Sequence, residues 1–177
     1  MTAPDRRPLP ELPPLASVRR VHVIGMCGTA MAPLAAMFRE RGHAVSGSDA
    51  AAYPPMSTWL DERGLELRSG YAADHIPADT DLVVVGNVAR RDNPEVVAAA
   101  ARNIPSISLP EALRVAFFPN RRVLCVTGTH GKTTTSSMAA WLLYAAGRDP
   151  SFFIGGVTAN FGANYRLGSG DDFVVEG

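Results

Sequence analysis

Twice in this chain an apolar strand pattern runs into a short glycine turn, and the turn opens directly into a helix. In the first unit the strand pattern VRRVHVIG, starting at Val18, leads into a turn at Gly25–Thr29. Met31, Leu34, Ala35 and Phe38 follow. Their i, i+3, i+4, i+7 spacing marks one helical face, and Gly42 ends that helix. In the second unit the strand is Val123–Val126 and the turn is Thr127–Gly131. A helix is expected over Lys132–Ala146, with Met138, Trp141, Leu142 and Ala145 on its apolar face and Gly147 at its end. Strand–turn–helix units of this kind commit a chain to an α/β fold with a parallel sheet. They also bring both turns to the carboxyl edge of the strands, where helix N-termini present unpaired amides to anions.

The remaining elements fit that plan. His43–Ser48 reads as a strand, Pro54–Arg63 as a helix stopped by Gly64, and Leu65–Ser69 as a short strand. Asp81–Val85 is a continuous apolar run with an acidic start, as in a buried parallel strand. Asn93–Ala101 is a helix with Asn93 as its cap and Pro94 in its first turn. A strand at Ser106–Ser108, a helix at Pro110–Ala116 and a linker at Phe117–Arg122 come next. Residues 151–170 hold five glycines and read as loops around a short strand, Phe152–Ile154, before a last strand at Phe173–Glu176. The expected architecture is α/β: a Rossmann-like parallel-sheet domain over 18–119, then the start of a P-loop-type second domain over 120–177. Too few strands follow residue 120 to close a doubly wound sheet, so the chain is expected to be a fragment of a longer protein. Residues 1–17 carry five prolines by position 14 and are expected to form a flexible or extended tail.

Composition narrows the function. Lys and Arg total 17 and Asp and Glu total 17, for a net charge of zero. That balance gives neither the basic field of a nucleic-acid binder nor a polybasic membrane anchor. No apolar run reaches the roughly 18 residues of a membrane span, and the N-terminus has no secretory apolar core. Cys27 and Cys125 are far apart and lack partners at metal spacing. Together these features point to a reducing cytoplasm and away from a disulfide scaffold or zinc site.

The sharpest chemical signal is Thr127-Gly-Thr-His-Gly-Lys-Thr-Thr-Thr135. It lies between an apolar strand and an amphipathic helix, the setting of a phosphate loop. Gly128 and Gly131 let the backbone approach phosphate oxygens, while Thr129, His130 and Thr134 complete the candidate ATP cradle. Lys132 would bring a full positive charge to the β- and γ-phosphates as the catalytic cation, and the Thr133 hydroxyl would hold Mg²⁺. The spacing departs from the general phosphate loop, because Val126 stands where the first glycine would fall. His130 either orients a phosphate or fills the loop. Glu176, at the end of a strand beside this loop, is either a second Mg²⁺ ligand or a solvated strand-end charge.

The first turn, Gly25-Met-Cys-Gly28-Thr-Ala-Met, is similar to a dinucleotide fingerprint but lacks its second and third glycines. Asp49 follows Gly25 by 24 residues, the place of a ribose-binding acid in a NAD(P)-dependent oxidoreductase. The degraded glycines weaken that reading, while the helix N-terminus still suits a nucleotide diphosphate. Asn87 lies at the same edge and either contacts ligand or forms a turn.

These residues together resemble the Mur ligases of peptidoglycan, over about residues 18–177. The resemblance rests on Val23-Ile-Gly-x-Cys-Gly-Thr-Ala-Met31, Gly47-Ser-Asp49 and Val126–Thr135, with Gly86-Asn87, Asn93-Pro94, Ile154-Gly-Gly156 and Asn160-Phe-Gly162. Met26–Thr29 and Tyr53–Thr58 are similar to the members that join UDP-N-acetylmuramate to the tripeptide L-alanyl-γ-D-glutamyl-meso-diaminopimelate in cell-wall recycling. The alternative is the branch that adds L-alanine in de novo synthesis. The resemblance implies a three-domain, ATP- and Mg²⁺-dependent enzyme that works through an acyl phosphate. It implies that Lys132 neutralises the γ-phosphate, that Thr133 and Glu176 hold Mg²⁺, and that Gly28, Thr29, Ser48, Asp49 and Asn87 line the UDP-sugar site. The family continues after the strand-end Glu with Ala-Asp-Glu, whereas Gly177 follows Glu176 here. On this reading the chain alone is expected to bind UDP sugar without ligating it.

Overall fold

The computed structural model describes Leu12 and residues 14–177. Most of the expected proline-rich tail lies outside the described residues. Within its span, Leu15–Ser17 form a single 3-10 turn. Leu12 and Leu15 pack against the core, so the tail expectation does not hold there.

The first sheet contains β1 (Arg20–Ile24), β2 (Ala44–Asp49), β3 (Glu66–Ser69), β4 (Leu82–Val85) and β5 (Ser106–Ser108). Its order is β3-β2-β1-β4-β5, and every pairing is parallel. Crossovers are made by α1 (Met31–Glu40), α2 (Met56–Asp61) and α3 (Pro94–Ala101). This is the doubly wound Rossmann-like order, which reverses direction beside β1. A second sheet, ordered β6-β9-β7-β8, is built from β6 (Arg122–Val126), β7 (Ser151–Thr158), β8 (Ala163–Arg166) and β9 (Asp172–Glu176). In it β6, β9 and β7 run parallel, and β8 returns antiparallel to β7. The helix α5 (Lys132–Ala145) connects β6 to β7.

One continuous core joins the sheets. All eight residues from Met31 to Phe38 are buried, where the periodicity predicts a single face. A helix buried all round is one that is covered on several sides. Here β1 and β2 lie on one flank, and Phe153, Phe173, Val175 and Tyr165 of the second sheet belong to the same cluster. The segment after β5 completes the join. Phe117 meets Phe38 edge-on at 5.1 Å, and Phe118 meets Phe173 edge-on at 5.1 Å. Tyr165 donates to Glu40 Oε1 across the join at 2.8 Å.

Several expected elements differ. The helix expected over 110–116 is a short α4 (Leu109–Ala112) followed by a π turn over Leu113–Phe117. That wider turn brings both Phe117 and Phe118 onto core aromatics. The helix at 54–63 is shortened to α2, after a cis Pro54–Pro55 bond. The glycine-bearing stretch after residue 151 is an eight-residue strand and a hairpin, not loops around a short strand. Thr158 closes that hairpin by donating to the Ala163 carbonyl. The face of α5 is also rotated from the expected one. Met138, Trp141 and Leu142 are exposed, and Ser136 and Ala140 are the buried positions. Ala140 packs against Phe152 and Ile154 of β7 and Val174 of β9, so the sheet's large side chains cover the small-residue face.

Candidate functional site

Two turns reach the carboxyl edges of the strands, and each is set by strand register. Ile24 pairs with Ser48 on one side and Val85 on the other, which brings Gly25 beside Asp49 and Gly86. Gly25 takes φ +80°, a conformation that favours glycine. A Cβ on Gly86 would stand 2.8 Å from the Ile24 carbonyl oxygen, so close strand approach requires glycine there too. The amides of Gly25 and Met26 both donate to the Ser48 carbonyl, at 2.8 and 2.9 Å. Asp49 accepts from Cys27 N at 2.8 Å and from Ala51 N at 3.1 Å, which ties the turn to the end of β2.

These groups border a cavity of about 730 Å³ at the strand-order reversal. Gly28, Thr29, Asp49 and Asn87 line it, as does Tyr71, which sequence reasoning did not single out. Burial and the neighbouring Asp49 carboxylate raise the Cys27 thiol to about 11, so it faces the cavity as a neutral group. Ser48 is placed differently. Its side chain is fully buried below the turn and donates to Glu95, so only its backbone serves the loop.

The second turn follows β6. Val126 pairs with Glu176 across the β6–β9 register, which places the carboxylate at the mouth of the loop. Gly131 takes φ +75° as the residue before α5, and Gly128 takes φ +151°. Lys132 folds back over the loop and donates from Nζ to the Gly128 carbonyl at 2.9 Å. Thr129, His130 and Thr134 are exposed along this loop and helix start. Thr133 Oγ1 lies 2.9 and 3.1 Å from the two Glu176 oxygens. Gly155 N donates to Glu176 Oε2 at 2.7 Å. A hydroxyl and a carboxylate are hard donors suited to Mg²⁺. In this structure the Thr133 hydroxyl donates to that carboxylate directly. Gly155 carries no sequence signal of this role beyond its place in Gly155-Gly156.

A smaller apolar cavity of about 320 Å³ lies between the two turns. Its walls include Pro33, Met56, Trp59, Asn164 and Gly155. Thr29 borders both cavities, and its carbonyl accepts from Asn164 Nδ2 at 3.4 Å. The two cavities thus share Thr29 as a wall, and Gly155, whose amide holds Glu176, lines the smaller one.

Comparison with known proteins fits this arrangement. The model for "Mur ligase family, catalytic domain" matches residues 20–117. The chain belongs to the Mur ligase family. The chain is 49% identical over 157 residues to the UDP-N-acetylmuramate–L-alanyl-γ-D-glutamyl-meso-2,6-diaminoheptandioate ligase of Escherichia coli K12, covering 89% of this chain and 34% of that protein. It is 43% identical over 160 residues to the UDP-N-acetylmuramate–L-alanine ligase of Methylobacillus flagellatus, covering 90% of this chain and 33% of that protein. The chain thus spans about a third of the length of the curated relatives it matches. Among solved structures, the tripeptide ligase from Neisseria meningitidis superposes with a TM-score of 0.83 at 42% identity, over 90% of this chain and 52% of that one. The alanine ligase from Thermotoga maritima superposes with a TM-score of 0.79 at 29% identity, over 89% of this chain and 37% of that one. Membership in a ligase family sets aside the oxidoreductase reading of the first turn. Among the described residues no helix of this Mur ligase chain is long and apolar enough to cross a membrane.

Proposed function

We propose that this Mur ligase sequence serves a cytoplasmic, ATP-dependent amide ligase that joins UDP-N-acetylmuramate to L-alanyl-γ-D-glutamyl-meso-diaminopimelate in peptidoglycan recycling. The observation that supports this reading most is the pair of cavities that share Thr29: a nucleotide-sized cradle at β1, and an apolar cavity that reaches Gly155, whose amide holds Glu176 beside the phosphate loop. UDP lies on the α1 N-terminus, with Gly28 and Thr29 toward the diphosphate and Asp49 toward ribose hydroxyls. Asn87 faces the same ligand from the turn after β4. The sugar follows the apolar walls past Trp59, which brings its carboxylate toward Glu176 and Lys132. We assign residues 18–119 to this UDP-sugar unit and 120–177 to the start of the ATP unit.

Gly128, Thr129, His130, Gly131 and Thr134 surround the ATP phosphates with loop amides and hydroxyls. Lys132 exchanges its Gly128 carbonyl for phosphate oxygens and offsets charge as the γ-phosphoryl group moves to the muramate carboxylate. ADP leaves, the peptide amine attacks the acyl phosphate, an amide forms and phosphate departs. Mg²⁺ supplies charge neutralisation at the phosphates when bound. Thr133 and Glu176 would hold it, and Gly155 N fixes the carboxylate for that role.

The second reading is ligation of L-alanine, favoured by the 43% match to the M. flagellatus enzyme. The E. coli tripeptide ligase and the N. meningitidis structure weigh toward the tripeptide. ADP release by the full-length protein, given UDP-N-acetylmuramate, ATP and either amine, separates the two. Release with the tripeptide alone supports recycling. Release with L-alanine moves the protein to de novo synthesis, and release with neither rejects both.

A further inference from the structure

Beneath the first cradle lies a buried polar cluster that none of the proposed chemistry uses. Glu95 is fully buried at the start of α3, in a helix capped by the Asn93 side chain. Its Oε2 accepts from Ser48 Oγ and from His22 Nε2, the latter at 3.2 Å. Its Oε1 accepts from Ala72 N at 3.2 Å and faces His75 Nδ1 at 3.2 Å. His22 is fully buried as well, with Nδ1 against Ser46 Oγ at 3.0 Å. Burial raises the Glu95 carboxyl, but donors at His22, Ser48 and Ala72 outweigh it and hold the group below its ordinary value. The carboxylate is therefore ionised at neutral pH.

Two arms lead from this carboxylate to opposite walls of the cradle. Through Ser48 it holds the residue whose carbonyl accepts from the amides of Gly25 and Met26. Through Ala72 N it holds the backbone next to Tyr71, which lines the far wall. We propose that Glu95, which lines neither of the two cavities above, is the positioning residue of the nucleotide cradle, setting the Gly25 turn and the Tyr71 wall from below. The proposal rests on the UDP-sugar reading for the identity of the ligand, but its geometry does not.

The chemistry demands a carboxylate. Ser48 Oγ, His22 Nε2 and Ala72 N all donate to Glu95, and an ionised carboxylate only accepts. A glutamine has nearly the same shape but must turn an NH₂ toward one pair of donors. Facing Ala72, that NH₂ leaves the Ala72 amide unpaired; facing Ser48 and His22, it makes both turn to accept, and either way neutral hydrogen bonds replace charge-assisted ones.

The test follows amide hydrogen exchange and UDP titration in the 177-residue chain, in the native form and as Glu95→Gln and Ser48→Ala. Exchange at Gly25 and Met26 is expected to quicken at least tenfold in both variants. Ala72 is expected to quicken only in Glu95→Gln, with β4 and β5 unchanged. The UDP dissociation constant is expected to rise tenfold or more in both. Unchanged exchange at these amides, or an even quickening across every strand, overturns the proposal, because the second pattern is loss of general stability alone. If Glu95→Gln does not fold, Ser48→Ala decides, since it cuts one arm and leaves the His22–Glu95 pair intact. If the native chain fails to bind UDP, the ligand reading falls, and the exchange pattern still decides whether Glu95 sets the turn.

Discussion

Thr133 and Glu176 are 43 residues apart in sequence, yet the Thr133 hydroxyl stands 2.9 Å from one Glu176 oxygen and 3.1 Å from the other. The β6–β9 register makes this meeting, since it pairs Val126 with Glu176 at the foot of the loop. Neither side chain supports the core. Thr133→Ala and Glu176→Gln are therefore expected to lower ADP formation by the full-length enzyme by about 100-fold or more, the scale for losing a group that stabilises transferring charge. Unfolding free energy should change by only about 0.5–1.5 kcal/mol, the scale of a single hydrogen bond. Steady-state kinetics paired with denaturant unfolding checks both halves. A large loss of stability would recast the pair as structural.

Cys27 reports on the first cradle. Burial and then the Asp49 carboxylate raise its thiol to about 11. Only the thiolate alkylates, so the rate with iodoacetamide should be slow at pH 8 and climb until the pH passes about 11. Removing the nearby charge in Asp49→Asn should move that climb to lower pH. Saturating UDP should protect Cys27 by covering the cavity that it lines, and labelling read by mass spectrometry at each pH follows both effects.

Gly47 marks the tightest packing beneath the same turn. A Cβ there would stand 2.4 Å from Met26 Sδ and 2.5 Å from the Val23 carbonyl oxygen. The sulfur can move, but the carbonyl belongs to β1 and cannot. Gly47→Ala is expected to cost at least about 1–3 kcal/mol, as overpacked cores do. Urea unfolding measures it. A cost near zero would mean that β1 and β2 can separate without penalty.

The start of α4 carries an acid-sensitive cap. Glu111 accepts from Ser108 N and Ser108 Oγ, both at 2.7 Å. The Ser108 hydroxyl and amide hold its carboxyl below the ordinary 4.5. The unfolded chain thus binds the proton more readily, and this contribution to stability is present above about pH 4.5 and fades as the pH falls below it. Glu111→Gln should flatten that part of the curve. Thermal midpoints between pH 3 and pH 7 for the two chains give the comparison.

Both strand–turn–helix units were legible in the sequence because their signals are local. Asn93 reads as a cap from its neighbours alone, and its side chain does accept from Glu95 N and Val96 N. The buried face of α5 was not legible. Ala140 is covered by Phe152, Ile154 and Val174 from distant strands, while hydrophobicity ranks Trp141 and Leu142 above it. The β7–β8 hairpin was hidden because its glycines read as breakers, while Gly155 in fact supplies an amide to Glu176. Glu95 carries no local signal beyond its place in the first turn of α3. Its partner His22 is 73 residues away, and only the assembled sheet brings them together.

The shared core around α1 fixes the first turn relative to the second, and Thr29 marks the neck between their cavities. On the proposed reading that neck makes a ruler of the two cavities. A ligand anchored by its nucleotide reaches Glu176 only if its length matches the span, so a shorter one fills the cradle and leaves the phosphate loop untouched.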